Sequence, residues 1–242
     1  MSSTNIFISD LHLGLEPADK ERKKEDLLVK LLDEVASKAD RLFILGDLFD
    51  YWFEYRRVIQ KGFLKTLAGL QTLSEKGVEI HYIIGNHDFL HDDFFEKEIG
   101  IRKVYQDPFS IILDDKKFYL GHGDGLVKND IGYLILKKIL RNKFLQWIYS
   151  LIHPDFGIWV ASSTSRTSRE YTKAKDYGEV DGMFEEAKRK INEGFDYVIF
   201  GHLHQRKFEK HNDGTYINLG SWLDKPCYGI FKDNEFKIID WN

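Results

Sequence analysis

Apolar residues in this chain come first in short unbroken runs, then at helical spacing, then in runs again. Residues 5–9 (NIFIS) form a run of the length expected for a buried strand. Residues 18–39 set Leu27, Leu28, Leu31, Leu32 and Val35 on one face of a helix, with charged residues opposite. Residues 41–45 (RLFIL) and 78–84 (VEIHYII) predict two more strands, the last after a helical stretch ending near Gly77. This β-α-β-α-β rhythm predicts a parallel sheet with helices over it. Further on the runs shorten. Residues 109–113, 116–120, 197–200, 205–211, 215–219, 227–231 and 235–240 all read as short strands. Several are joined by hairpin turns at Asp114-Asp115, Asn212-Asp213-Gly214 and Asp233-Asn234. They predict a second, mixed or antiparallel sheet packed on the first.

Residues 129–175 follow neither rhythm. They predict several short helices, rich in apolar residues such as Tyr133, Leu140, Phe144, Trp147, Leu151 and Trp159. We read them as a helical cap inserted into one core made of residues 1–128 and 176–242. The cap has more apolar surface than a short helical hairpin needs to bury itself. That surplus could pack on the core, form a dimer contact or line a ligand groove.

Composition narrows the function classes. With 43% hydrophobic and 31% charged residues the chain is an ordinary globular protein. A formal net charge of −4 counts against a dedicated nucleic-acid binder. Cys227 is the single cysteine, so no intramolecular disulfide forms; it reads as a small buried apolar residue in a reducing compartment. The N-terminal residues lack the basic start and apolar core of a signal peptide, and no run of about 18 apolar residues is long enough to span a membrane. The expectation is a cytoplasmic protein.

The chemistry sits at the strand ends. After the first strand come Asp10 and His12; after the second, Asp47 and Asp50; after the third, Asn86, His87 and Asp88. His122 and Asp124 follow the 116–120 strand, and His202 and His204 follow 197–200. Taken singly each has a plain reading as a turn residue, a helix cap or a loop. In open α/β sheets, however, ligands bind beyond the carboxyl ends of strands, and five clusters there predict one shared metal site. A strand also delivers residues i and i+2 to one face, so His202 and His204 are expected to point the same way. His81, His91, His153 and His211 lie outside the clusters and read as ordinary surface or core histidines. Carboxylate, imidazole and amide ligands without thiolate suit Mn²⁺, Fe²⁺ or Zn²⁺.

Asp-x-His, Gly-Asp-x-x-Asp, Gly-Asn-His-Asp, Gly-His and Gly-His-x-His, in this order, resemble the motifs of the calcineurin-like metallophosphoesterases. The resemblance implies an α/β fold, a four-layer α/β/β/α sandwich, with two divalent transition-metal ions between the sheets, manganese foremost and iron or zinc as alternatives. Asp10, His12 and His204 would hold the first ion, and Asn86, His122 and His202 the second, with Asp47 bridging. His87 would stabilise the transition state or protonate the leaving oxygen, with Asp50 orienting its ring.

The stretches 44–55, 85–90 and 121–126, and the insertion beginning near residue 141, resemble one branch more closely, the UDP-2,3-diacylglucosamine hydrolases of the lipid A pathway. That branch implies a lipid-linked UDP-sugar substrate, peripheral contact with the inner face of the cytoplasmic membrane and no nucleic-acid partner. A groove under the cap would take acyl chains at roughly 0.8 kcal/mol per buried CH₂. Arg166, Arg169 and Lys173 at helical spacing, with Ser165 nearby, would meet the substrate phosphates or form a solvated face. Asn86 and Asp124 are further candidates for sugar and phosphate contacts. One residue departs from the branch: His87 stands where its best-known members carry Arg. The alternative is a phosphatase or phosphodiesterase for another nucleotide or phosphoester.

Overall fold

The computed structural model describes residues 2–88, 91–126, 137–160 and 182–242. The first half runs β1 (Asn5–Ile8), α1 (Ala18–Glu34), β2 (Arg41–Leu45), α2 (Leu64–Glu75), β3 (Glu79–Ile83), α3 (Phe94–Lys97), β4 (Lys103–Tyr105), β5 (Phe109–Leu113) and β6 (Lys116–Leu120). Then follow α4 (Lys143–Ser150), α5 (Gly182–Asn192), β7 (Tyr197–Phe200), β8 (Lys207–His211), β9 (Gly214–Asn218), β10 (Cys227–Lys232) and β11 (Glu235–Asp240). β4 went unpredicted because it has only three residues, none of them buried.

One sheet has the order β11-β10-β1-β2-β3-β4 and the other β5-β6-β7-β9-β8. β1 to β4 are mutually parallel, as the opening rhythm predicts. The β10–β11 hairpin corrects the sequence expectation: it extends the first sheet, with β10 antiparallel to β1. Local patterning fixes a hairpin but not the edge it joins. Here the choice buries two rings between the sheets: Phe236 lies 5.3 Å from Phe7, and Phe231 4.8 Å from Phe118.

Three buried apolar layers separate four structural ones. Leu28, Leu31 and Leu32 of α1 and Leu67 and Leu70 of α2 pack under Ile6, Ile8, Leu42, Ile44, Ile80 and Tyr82 of the first sheet. Phe7, Phe43, Phe118, Ile199 and Ile217 fill the space between sheets. Met183, Ala187 and Ile191 of α5 cover Val198, Phe200 and Tyr216 on the far face of the second sheet. This is the α/β/β/α sandwich. Of residues 129–175 the structure describes 137–160, which are helical at 137–140, in α4 and at 154–160. The remainder, including Ser165, Arg166, Arg169 and Lys173, lies outside the described residues.

Candidate metal centre

β1, β2 and β3 run parallel in one sheet, and β6 and β7 run parallel in the other. All five clusters follow these strands, and the structure brings Asp10, His12, Asp47, Asn86, His122, His202 and His204 together. Asp10, His12 and His204 offer one donor atom each within 4.8 Å of one another; so do Asp47, His122 and His202, and also His12, Asp47 and His87. His12 Nε2 faces His204 Nε2 at 3.0 Å, and Asp10 Oδ1 is 3.4 Å from His204 Nε2. On the other side, Asn86 Oδ1 lies 2.9 Å from His122 Nε2 and 2.8 Å from His202 Nδ1. Asp47 Oδ2 stands between the halves, 3.3 Å from His122 Nε2 and 3.7 Å from His12 Nε2.

The backbone is specialised here. Asp10, His12, Asp47, His202 and His204 all have left-handed φ, between 49° and 68°. Each such non-glycine residue costs on the order of 1 kcal/mol or more, so five together consume a large share of an ordinary domain's stability of about 5–15 kcal/mol. The hydrogen bonds around them offset that strain. Lys24 Nζ donates to the His12 carbonyl at 2.9 Å. The backbone N–H of Trp222 and the Ser221 hydroxyl both donate to the Asp10 carbonyl. The His202 N–H donates to the Asp10 carboxylate at 3.0 Å. The left-handed turn also revises the expectation for His202 and His204. The strand ends at Phe200, so strand alternation no longer applies, and the two rings go to opposite halves of the cluster. Glycine makes room as well as bends: a Cβ on Gly85 would overlap the Asp47 carboxylate, and one on Gly201 the Asp10 carboxylate.

The electrostatics suit cations. Burial alone would raise the Asp10 and Asp47 carboxyls. The neighbouring imidazoles instead hold both below the usual carboxylate range, His204 and His122 acting on Asp10, and His122 and His87 on Asp47. Burial opposes charge on His122, yet Asp47 and Asp10 raise it to about 10; Asp10 likewise raises His204. Burial and the His122 charge together push His202 down to about 4. The cluster thus draws positive charge to itself, and divalent cations would replace those protons. The donor set fits the expected ions: imidazole nitrogen, carboxylate and amide oxygen, all without thiolate, spaced like neighbours on a sphere with bonds of roughly 2.0–2.2 Å. His122 Nδ1 bonds the Leu45 carbonyl at 2.8 Å, which leaves Nε2 as the nitrogen that faces the cluster and could hold an ion.

The other sequence candidates fall around this core. The His87 Nδ1 hydrogen bond, at 3.3 Å, is to the Asp50 backbone carbonyl; the Asp50 carboxylate lies 3.7 Å from His87 Nδ1 and 3.5 Å from His12 Nδ1. Asp124 follows His122 and accepts an ion pair from Lys137 at 2.6 Å, which ties the helical turn at 137–140 to the edge of the centre. Burial opposes its charge, but His122 and Lys137 hold its carboxyl down at about 2. Asp88 turns away from the cluster and takes backbone N–H groups instead. Sequence reading missed Lys24, Glu21 and Lys137. Lys24 is an apparent surface lysine that the fold buries, with Nζ 2.9 Å from Glu21. No local signal separates it from its exposed neighbours on α1.

Residues 5–206 match the calcineurin-like phosphoesterase family. The chain is 30% identical to a UDP-2,3-diacylglucosamine hydrolase of Porphyromonas gingivalis strain W83, over 96% of this chain and 95% of the other. It is 32% identical to the protein of that name from Haemophilus influenzae strain PittGG, again over 96% and 95%. A Neisseria meningitidis MC58 protein of the same name is 31% identical over 89% and 88%. A family match over most of the chain, and motifs that converge on one ion-binding cluster, make this chain a metal-dependent hydrolase that belongs to the calcineurin-like phosphoesterases.

Proposed function

We propose that the protein cleaves the pyrophosphate bond of UDP-2,3-diacylglucosamine, releasing UMP and 2,3-diacylglucosamine 1-phosphate in lipid A biosynthesis. The observation that carries this reading is the end-to-end similarity to several proteins named for that hydrolysis, across core and cap alike. In this reading Asp10, His12 and His204 would hold one ion, Asn86, His122 and His202 the other, and Asp47 would contribute to both; manganese is the first candidate. When bound, the ions polarise the phosphoryl oxygens and supply a nucleophilic water at neutral pH. The chain does the rest. The Asp50 carbonyl fixes one nitrogen of His87, and the ring so held would stabilise the transferring phosphoryl group or give a proton to the leaving oxygen. Asp124, held by Lys137, borders the space for the sugar. Ser165, Arg166, Arg169 and Lys173 would bind the phosphates.

The cap supports a lipid substrate at a membrane surface. Among the described residues every exposed large hydrophobic side chain except Ile112 and Phe208 lies at 58–64 or 139–159. A small cleft lined by Tyr51, Phe53, Val58, Ile59, Pro154 and Ile158 joins the two segments. No helix among the described residues is long and apolar enough to cross a membrane. In this reading contact with the membrane is peripheral, on the cytoplasmic side. His87, in place of the branch's arginine, favours the second reading, a phosphodiesterase for another nucleotide. Manganese-loaded protein should release UMP from UDP-2,3-diacylglucosamine and lose that activity in chelator. Intact lipid substrate beside rapid cleavage of other phosphodiesters, bis-p-nitrophenyl phosphate among them, would decide for the second reading.

A further inference from the structure

We infer that Asp88 and Glu54 are a reciprocal pair of positioning residues, a double clasp that sets the bridging carboxylate and His87 relative to each other. The loop after β2 carries Asp47 and Asp50, and the loop after β3 carries Asn86 and His87. Asp88, from the second loop, is fully buried and accepts backbone N–H groups of the first: Asp47 at 3.2 Å, Leu48 at 2.8 Å and Phe49 at 3.4 Å. It also accepts the N–H of Gly85 at 2.7 Å and the hydroxyl of Tyr82. Glu54, from the first loop, reaches the other way, and its side chain is 6% exposed. It accepts the N–H groups of Asp92 at 2.7 Å and Phe94 at 3.2 Å, just beyond the second loop. Between these ties the His87 N–H donates to Asp47 Oδ1 at 2.9 Å, which leaves Oδ2 facing the two halves of the cluster.

A buried carboxylate is expensive unless its oxygens are satisfied. Among the described residues no Lys or Arg makes an ion pair with either carboxylate; His91 Nδ1 lies 3.7 Å from Glu54. Each is instead held by backbone N–H groups of the opposite loop. Asp47 sits in a left-handed conformation that an unsupported loop would leave. The clasp supplies that support without touching any reacting atom.

The inference rests on the ligand assignment proposed above and not on the identity of the lipid substrate. The test uses the full chain, manganese chloride titrated by calorimetry, and bis-p-nitrophenyl phosphate as substrate, with circular dichroism as the check on folding. Wild type is expected to bind two ions. Asp88→Asn should bind at least one of them tenfold or more weakly. At saturating manganese its kcat should still fall 30-fold or more, with KM within threefold of wild type. Glu54→Gln should lose three- to tenfold in kcat in the same pattern. A folded Asp88→Asn or Glu54→Gln within twofold of wild type in both ion affinity and kcat overturns the clasp. If Asp88→Asn does not fold, Glu54→Gln decides alone by the same criterion. A wild type that takes up no ion overturns the ligand assignment and the clasp together, whereas a wild type with two ions and variants that match it overturns the clasp alone.

Discussion

At the metal centre Asp10, His12, Asp47 and His122 are at most 1% exposed, and around them carbonyls, carboxylates and N–H groups are joined to fixed partners. On α4 no residue is buried; Phe144 and Trp147 are 64% and 58% exposed, and Leu151, just beyond it, is 68% exposed. The centre is thus polar and dry, and the cap apolar and wet, each the reverse of what water prefers. The centre tolerates this because every charge has a partner of opposite sign or a donor. Among the described residues, ties between cap and core include the hydrogen bond between the Tyr149 and Tyr51 hydroxyls and the Lys137–Asp124 ion pair. The difference separates two kinds of surface: a cluster whose atoms are held in place, as phosphorus chemistry requires, and an exposed apolar face of the kind the proposed lipid substrate would use.

The sharpest way to break the comparison is at the centre. His122→Ala removes a ligand donor shared by the Asp47 and Asn86 side and should cost about a thousandfold or more in kcat on every phosphoester tried. It should also weaken manganese binding in a calorimetric titration. Retained activity would mean the cluster is not the reaction site. A selective loss is expected at the cap. Trp147→Ala with Trp159→Ala should lower kcat/KM on vesicle-presented UDP-2,3-diacylglucosamine roughly tenfold. Cleavage of bis-p-nitrophenyl phosphate should change less than about twofold, because neither ring is part of the centre. Equal losses on both substrates would end the division of labour argued here.

The smallest effect concerns the dry floor beneath the centre. His91 is packed against Tyr82 and Phe95, with Nδ1 3.7 Å from the Glu54 carboxylate. Burial pushes it down to about 3. Below pH 6.5 the unfolded chain binds a proton that the folded chain refuses until about pH 3. Wild type therefore loses stability across that window as pH falls. His91→Phe, which keeps the ring but cannot titrate, should be spared about 1.4 kcal/mol of that loss at pH 5.5. Denaturant midpoints of the two proteins at pH 7.5 and 5.5 measure it. Parallel shifts would show that His91 is not held neutral by its surroundings.

Asp-x-His, Gly-Asp-x-x-Asp and Gly-Asn-His-Asp could be read along the chain because each is a short-range fact: a strand, a tight turn and a donor at its tip. Most strands of the two sheets and the helices over the first followed from apolar spacing for the same reason, since a helix or strand declares its buried face within a dozen residues; the four-layer arrangement came from the family resemblance. Which sheet the β10–β11 hairpin extends, which way His202 and His204 turn, and the burial of Lys24 could not be read that way. Nor could the pairing of Asp88 and Glu54 with each other's loops. Those outcomes depend on contacts between residues from about a dozen to more than two hundred positions apart in sequence, and in several cases on backbone angles that residues of their type adopt only when something distant holds them there. The chain alone settled what chemistry was present; only the folded packing decided which groups converge on the cluster and which merely hold them in place, because that choice is made by contact and not by order.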